Sequence, residues 1–166
     1  TAPPWPPGPV KKPSVEPDPI LGAPRLIAST EGFLTGPGGQ GGAVSAAFLN
    51  AVPADDPHRV IKAFLNEHPA LFGHDAGALA NATLKRDYVT PHNGLRTVVF
   101  EQAFAGIPVF EAALSGHITR QGELARLSSQ FVPDVAGAAD KGVPGWASAT
   151  VNPPISAALA VVKAGE

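Results

Sequence analysis

The chain has 166 residues, of which 18 are glycine and 19 are proline, well above the roughly 12% that these two residues contribute to an average protein. Its 12 Lys and Arg against 14 Asp and Glu give a formal net charge of -2, so it lacks the basic field that nucleic acid or anionic lipid requires. The absence of cysteine excludes a disulfide framework, a cysteine zinc site and thiol catalysis, but it leaves the cellular compartment open.

Proline is concentrated at the beginning of the chain, where nine of the 19 prolines fall within the first 24 residues. Because proline has no backbone N–H and a fixed φ, this stretch predicts an extended, polyproline-like leader without helix or paired strand. Residues 36–42, five of which are glycine, predict a flexible joint. A third stretch rich in glycine and proline, 132–154, predicts a loose exit from the domain.

These stretches divide the chain into four predicted parts. They are an extended leader and linker over 1–54, a compact domain over 55–134, a linker over 135–154 and the start of a second unit over 155–166. The compact part holds six of the eight phenylalanines, and at about 80 residues a single hydrophobic core can be stable alone.

The sequence contains no recognisable signal peptide or membrane-spanning segment. No apolar run approaches the ~20 residues that span a bilayer, and no basic residue leads an apolar signal segment. The chain begins at Thr1 rather than at methionine, as a secreted chain that has lost its signal peptide would. We therefore expect a processed or excised piece of a longer protein.

One helix is predicted at the start of the compact part. Asp55 and Asp56 followed by Pro57 are typical of a helix N-terminus. An apolar stripe at helical spacing follows, formed by Val60, Ile61, Phe64, Leu65 and His68. Pro69 disfavours helical geometry at the preceding residue, so the helix is expected to end or kink there.

From residue 84 the apolar period changes from helical to alternating, which predicts four strands over 84–90, 95–104, 107–119 and 124–131. The turns between them contain Asn93-Gly94, Ala105-Gly106 and residues 120–123. The third strand is expected to place one apolar set on one face: Phe110, Ala112, Leu114 and Ile118. The predicted fold is α+β, an antiparallel meander of about four strands packed against one helix, with irregular arms.

At the far end, residues 155–164 predict a second helix with Ser156 as its N-cap. About ten residues are marginal for a helix without tertiary support. We therefore expect that the natural chain continues and that this helix opens another structural unit.

The search for catalytic chemistry finds no zinc-protease H-E-x-x-H, no serine-hydrolase elbow and no phosphate-binding loop. His68, His74 and Asp75 form the only close set of candidate metal ligands, but their spacing across a proline matches no helical ligand geometry. Glu101 and Glu111 could pair on neighbouring strands for acid–base work, although a solvated face of the sheet is the favoured interpretation. The sequence thus predicts no catalytic, cofactor or metal residue.

Three other sequence features could be functional, but each also has a simpler explanation. Gln102 lies on the apolar side of its strand, where a structural hydrogen bond is favoured over a ligand contact. The glycines of 36–42 could cradle a phosphate, but no Lys-Ser/Thr follows, so a linker is the better interpretation. Asn81 begins an Asn-Ala-Thr sequon, which is meaningful only in a secreted protein of a glycosylating host.

Residues 87–110, which read DYVTPHNGLRTVVFEQAFAGIPVF, resemble the fungalysin/thermolysin propeptide domain. The helix predicted around residues 63–73 resembles the helix that precedes the sheet in that family, and residues 155–160 resemble the opening of its second propeptide unit. The resemblance extends from about Pro57 to Asp134. The positions that match the family pattern are Gln102, Phe104, Gly106, Ile107, Pro108, Val109, His117 and Gly122.

The resemblance implies that this chain is the N-terminal prosegment of a secreted zinc metalloendopeptidase made as an inactive zymogen, fungalysin-like or, as the alternative, thermolysin-like. Such a prosegment assists folding of the catalytic domain and inhibits it by docking on it. The zinc would belong to the catalytic part, so this chain would need no cofactor and catalyse nothing itself. Its implied partner is the cognate catalytic domain, with neither nucleic acid nor membrane involved.

Two alternatives stay open at this point. The domain could be a stand-alone, non-catalytic binding module of a secreted or cell-surface protein. It could also be a small enzyme that uses exposed carboxylates or His117. A gene that continues into an H-E-x-x-H motif would select the prosegment, and a complete gene without that motif would exclude it.

Overall fold

The computed structural model describes residues 13–147 and 155–165. The described residues up to Pro133 form one compact unit, and those from Asp134 onward form another. Residues 1–12, the first half of the proline-rich leader, and residues 148–154 of the predicted linker lie outside the described residues. Within the described ranges, no helix has both the length and the apolar character needed to cross a membrane.

The first unit is built on one antiparallel sheet of six strands, ordered β1-β2-β6-β5-β4-β3. The strands are β1 (Pro13–Pro17), β2 (Pro24–Ser29), β3 (Ala82–Val89), β4 (Arg96–Phe104), β5 (Ile107–Ile118) and β6 (Leu124–Ser129). The α+β class and the meander β3–β6 are as predicted, but the sheet has six strands where about four were predicted.

The two additional strands come from the segment that the sequence assigned to an extended leader. They form a hairpin, and β2 pairs with β6 through Leu26, Ile27 and Ala28. Pro13 and Pro17 lie at the two ends of β1, Pro24 is the first residue of β2, and Pro19 lies in the turn between them. At none of these positions does a missing N–H interrupt a ladder in the middle of a sheet. The proline-rich composition therefore did not prevent pairing.

The connection from β2 to β3 carries α1 (Ala46–Asn50), α2 (Arg59–Glu67) and α3 (Pro69–Phe72), with 3₁₀ turns at Pro37–Gly39 and Ala76–Asn81. The prediction of a single helix is thus corrected to three. Pro69 ends α2 at His68, as predicted, but it also opens α3, since proline suits the first position of a helix. Four residues of the α2 stripe, Val60, Ile61, Phe64 and Leu65, are buried in a hydrophobic cluster with apolar side chains of the sheet and of the connecting loops, while His68 is partly exposed.

The second unit contains α4 (Val135–Gly142) and α5 (Ala157–Ala164). The α4 helix lies in a stretch predicted to be loose, and it begins where the Asp134 carboxylate accepts a hydrogen bond from the Gly137 N–H at 2.9 Å. The α5 helix occupies the predicted position, and Ser156 caps it by accepting from the Leu159 N–H.

The glycine-rich segment 36–42 is a packed loop rather than the predicted flexible joint. The Leu34 N–H donates to the Leu124 carbonyl and the Gly38 N–H donates to the Gln121 carbonyl, both at 2.7 Å. Gly39 has a φ of +78°, and a Cβ there would lie 2.8 Å from a methyl group of Val60. Glycine is needed at this position because it adopts positive φ and because it has no Cβ to collide with Val60, not because it is flexible.

Helix α2 packs directly on the backbone of the central strand β5. Gly116 pairs with Val98 of β4 and with Leu127 of β6, so it lies in the middle of the sheet. A Cβ built on Gly116 would lie 2.5 Å from Cδ1 of Ile61 and 2.9 Å from its Cγ1. Only glycine leaves room for the fully buried Ile61 at this distance.

We predict that Gly116→Ala lowers the free energy of unfolding by about 2 kcal/mol, because the added methyl group overpacks the helix–sheet contact. Adding Ile61→Val, which removes Cδ1, should restore part of that loss, although Ile61→Val alone costs about 1 kcal/mol. Urea denaturation of the original chain, the two single variants and the double variant measures the coupling energy between Gly116 and Ile61.

The matched control is Gly142→Ala, where the new Cβ meets no atom within 4 Å. It should not destabilise the protein, because alanine favours a helix over glycine. Additive effects of Gly116→Ala and Ile61→Val would contradict the proposed contact.

Candidate functional site

Most of the predicted motif residues lie in the hairpin formed by β4 and β5. The strands are joined by a two-residue turn, Ala105-Gly106, flanked by the pair Phe104 and Ile107. Both turn residues have positive φ (49° and 79°), the pattern of a type I′ turn. Gly106 adopts this conformation without cost, which gives a physical role to the glycine of the Gly-Ile-Pro-Val motif.

The two strands of this hairpin are unequal in length, and the difference forms a large bulge. Ala103 pairs with Pro108, but the next pair is Glu101 with Ala113. Gln102 of β4 therefore stands opposite four residues of β5, 109–112. Within this bulge Glu111 has a φ of 55°, an unusual conformation for a residue with a side chain.

The bulge turns an aromatic side chain into solvent. Phe110 is 87% exposed, and Ile107 beside the turn is 62% exposed. The alternation of β5 predicts that Phe110 shares the buried face with Ala112, Leu114 and Ile118; these three are buried and Phe110 is not. The prediction for Phe110 is wrong, because period-2 reasoning cannot count extra residues in a bulge.

Behind the bulge, the Gln102 side chain ties the end of the sheet together. It is 5% exposed; its Nε2 donates to the Val132 carbonyl at 3.0 Å, and the Val132 N–H donates to its Oε1 at 2.9 Å. The amide thus pairs with the backbone just beyond β6 in the way a neighbouring strand would. Its hydrogen bonds are structural, which agrees with the favoured sequence interpretation.

His117 lies farther along β5, on the side of the pleat opposite to Gly116. Its Nδ1 is 3.2 Å from the Thr97 hydroxyl, and its partner on β6 is Arg126. Burial, and secondarily the charge of Arg126, lower the pKa of His117 below its ordinary value. Gly122, in the β5–β6 turn, has a φ of +80° and lies against Gly38. The structure therefore keeps these two motif residues apart from the hairpin tip.

The remaining candidates are separate from the hairpin tip and from one another. Asn81 is exposed immediately before β3, so its sequon is accessible, while its glycosylation stays a prediction. Glu101 forms an ion pair with Lys85 at 2.8 Å and stands opposite Ala113 rather than Glu111. The predicted carboxylate pair is thus not placed face to face.

The histidines outside the sheet have structural surroundings. His68 contacts the Ala43 carbonyl through Nε2, and His74 packs against Phe72 and Phe131 with Nε2 at 3.2 Å from the Ser129 hydroxyl. Burial lowers the pKa of His74. Among the residues that the structure describes, no three His, Asp or Glu side chains are grouped so that they could hold a metal ion.

We predict that Gln102→Glu lowers the free energy of unfolding at pH 7 by about 3 kcal/mol, because a buried carboxylate would face the Val132 carbonyl. The folded state should raise the pKa of this new Glu above its unfolded value of about 4.3. Since the folded state then binds more protons, the loss should shrink as pH falls toward 4. Chemical denaturation at several pH values tests this.

The exposed turn residue Gln121 offers the control, since Gln121→Glu places the same charge in solvent. It should leave stability within about 0.5 kcal/mol of the original protein. A Gln102→Glu protein whose stability loss did not depend on pH would show that the amide does not donate to Val132.

Residues 80–131 match the family model described as the Fungalysin/Thermolysin Propeptide Motif. No curated protein matches the chain. The matched segment begins just before β3 and ends just after β6, so it covers the whole meander, the bulged hairpin and every motif residue that the resemblance assigned. The resemblance predicted from the sequence is thereby confirmed over residues 80–131: the β3–β6 meander of this chain carries the fungalysin/thermolysin propeptide motif. For the helices before and after that segment, the resemblance stays a prediction.

Proposed function

We propose that this chain is a prosegment of a secreted zinc metalloendopeptidase zymogen of fungalysin-like type. The observation that carries the proposal is the propeptide motif over residues 80–131, because a propeptide motif implies association with a protease catalytic domain. In this proposal, residues 55–134 are the propeptide-like domain and residue 155 begins a second propeptide unit. The chain acts on the catalytic domain as a folding assistant and as an inhibitor.

The tip of the β4–β5 hairpin is the surface we propose for docking, with the catalytic domain as its occupant. Ile107 and Phe110 expose apolar side chains on a segment held by a tight turn and by the pairing of β4 with β5. Burying one such side chain in a partner is worth about 1.5–3 kcal/mol. Because the hairpin is ordered before binding, little of that gain is lost in ordering it.

The charge of the chain supports contact by shape and apolar burial rather than by long-range attraction. The formal net charge is -2, and Lys85 of the neighbouring strand β3 forms an ion pair that offsets the charge of Glu101 on the hairpin strand β4. A partner that binds only the folded prosegment stabilises it, and the folded catalytic domain is stabilised in turn by mass action. This mutual stabilisation is the physical basis of the proposed folding assistance.

The proposal places the zinc and the catalytic residues in the peptidase and none in this chain. Inhibition would then come from the position of the docked prosegment on the peptidase.

The first test is the gene that encodes the chain. We expect its reading frame to continue into a catalytic domain with an H-E-x-x-H motif on a helix, the arrangement that binds zinc in metallopeptidases. A complete frame without such a motif would exclude the prosegment and leave the stand-alone binding module.

We further predict that the chain inhibits that catalytic domain and increases its refolding yield, and that Phe110→Ser weakens inhibition about ten-fold or more. The inhibition constant and the recovered activity after dilution from denaturant measure the two effects. Since Phe110 is exposed, the substitution should not lower the melting temperature of the free chain.

Ile20→Ser is the matched control, because Ile20 is 91% exposed and lies outside the hairpin, between β1 and β2. Its inhibition constant should equal that of the original chain. If Phe110→Ser left inhibition unchanged, the hairpin would not be the docking surface. If the original chain had no effect on inhibition or refolding, the prosegment function would be refuted.

A further inference from the structure

A pocket of about 520 Å³ lies at the end of the sheet opposite to the docking hairpin. Its walls come from the start of α2, from the β3–β4 turn and from the β5–β6 turn, all within the first unit. The pocket and the tip of the hairpin are separated by the length of β4, nine residues or roughly 30 Å. This pocket is therefore distinct from the docking surface proposed above.

The lining combines an apolar wall with a cationic rim. The apolar part includes Leu49, Val60, Val89, Pro91 and Ile118. The charged part contains the guanidinium groups of Arg59, Arg96 and Arg120 and a single carboxylate, that of Asp56. Such a lining suits a ligand that carries an anionic group on a short apolar stem.

Two of the three guanidinium groups are fixed in place by the protein. Arg59 donates through Nε to the Leu49 and Val52 carbonyls at 3.0 and 3.1 Å. Arg96 forms a bidentate pair with Asp87 at 2.7 and 2.6 Å and also donates to the Pro57 carbonyl. These contacts hold two charges at the pocket and leave their further N–H groups as donors.

The third guanidinium group, that of Arg120, forms no hydrogen bond or ion pair with any described residue. Its side chain lies over Gly94, where a Cβ would approach Nε to 2.6 Å. Gly94 also has a φ of +70°, so the turn requires glycine for both reasons. The structure thus leaves one cation at the pocket without a protein counter-ion within the described ranges.

The one carboxylate of the lining is already neutralised. Asp56 pairs with the Lys62 ammonium at 2.5 Å and accepts the His58 N–H at 2.8 Å. Because Lys62 offsets Asp56 and Asp87 offsets Arg96, the charges of Arg59 and Arg120 remain uncompensated at the pocket. A field of this sign attracts anions and repels cations.

We propose that this pocket binds a carboxylate carried on a small apolar group, with Arg120 as its pairing cation. Guanidinium forks pair with carboxylates in a planar, bidentate geometry, and the apolar wall accepts the stem. A chain end with an apolar last residue, or an aliphatic carboxylic acid, has this chemistry. The proposal does not depend on the prosegment function, because it uses only the lining of the pocket.

The test uses N-acetyl-leucine as the probe and N-acetyl-leucinamide, which has the same stem without the charge, as its neutral counterpart. We expect saturable amide chemical-shift changes in the ¹⁵N-labelled chain, centred on Gly94, Arg120 and Gly122, with a millimolar dissociation constant for the acid. The amide should bind about ten-fold more weakly, at matched ionic strength.

Arg120→Gln should weaken binding of the acid about ten-fold, while Arg126→Gln, which removes an exposed arginine outside the pocket, should leave it unchanged. The unaltered spectrum of the core in each variant shows that it is folded. Equal binding of acid and amide, full binding to Arg120→Gln, or no saturable change with the acid would each overturn the proposal.

Discussion

The close contact between helix α2 and strand β5 at Gly116 is the constraint on which the other features of the first unit depend. Ile61 fills the space that a side chain at Gly116 would occupy, so the helix lies directly on the backbone of the central strand. This contact sets the height of the helix layer over the sheet, and it places the start of α2 beside the turns that close the cationic pocket. Rigid cores transmit such constraints because they are packed without free volume.

At the other end of the same strands, the sheet changes from a regular ladder to a protruding hairpin. Gln102 makes this change possible, because its amide replaces the missing neighbouring strand by pairing with Val132. The backbone beyond β6 is thereby satisfied although the ladder has ended. With that end of the sheet secured, residues 109–112 of β5 bulge outward and expose Phe110. A buried polar residue and an exposed aromatic residue are thus two consequences of one mismatch in strand length.

The sequence predicted the parts of this fold that depend on local periodicity. The α2 stripe, the meander and the turns at Asn93-Gly94 and Ala105-Gly106 follow from short-range rules, and the structure contains them. The hairpin β1–β2 was missed because proline composition was weighed without regard to where each proline falls in a strand. The bulge was missed because its count of residues depends on pairing between strands, which no single segment encodes.

The pocket escaped sequence reasoning for a different reason. Arg59, Arg96 and Arg120 belong to three separate elements, and the overall charge of the chain is slightly negative. The net charge therefore gave no indication of this local cluster of arginines, which forms only when the β3–β4 and β5–β6 turns lie beside α2. The roles of three glycines were missed for a similar reason, because they depend on contacts between distant segments. At Gly39, Gly94 and Gly116, a side chain from another segment lies too close for a Cβ.

Glycines also lie at the turns of the two surfaces that we propose for binding, at opposite ends of one small sheet. At Gly106 a tight turn carries apolar side chains outward, and the energy of binding there would come from burying them. At Gly94 and Gly122 the turns pack against their neighbours and bring charge to a concave site, where the binding that we propose would depend on pairing a guanidinium group. Because β4 joins the two ends and the packed core between them is rigid, each surface is formed before any ligand arrives. The glycine content that first indicated a loosely ordered chain is, at these turns, what gives the domain its defined surfaces.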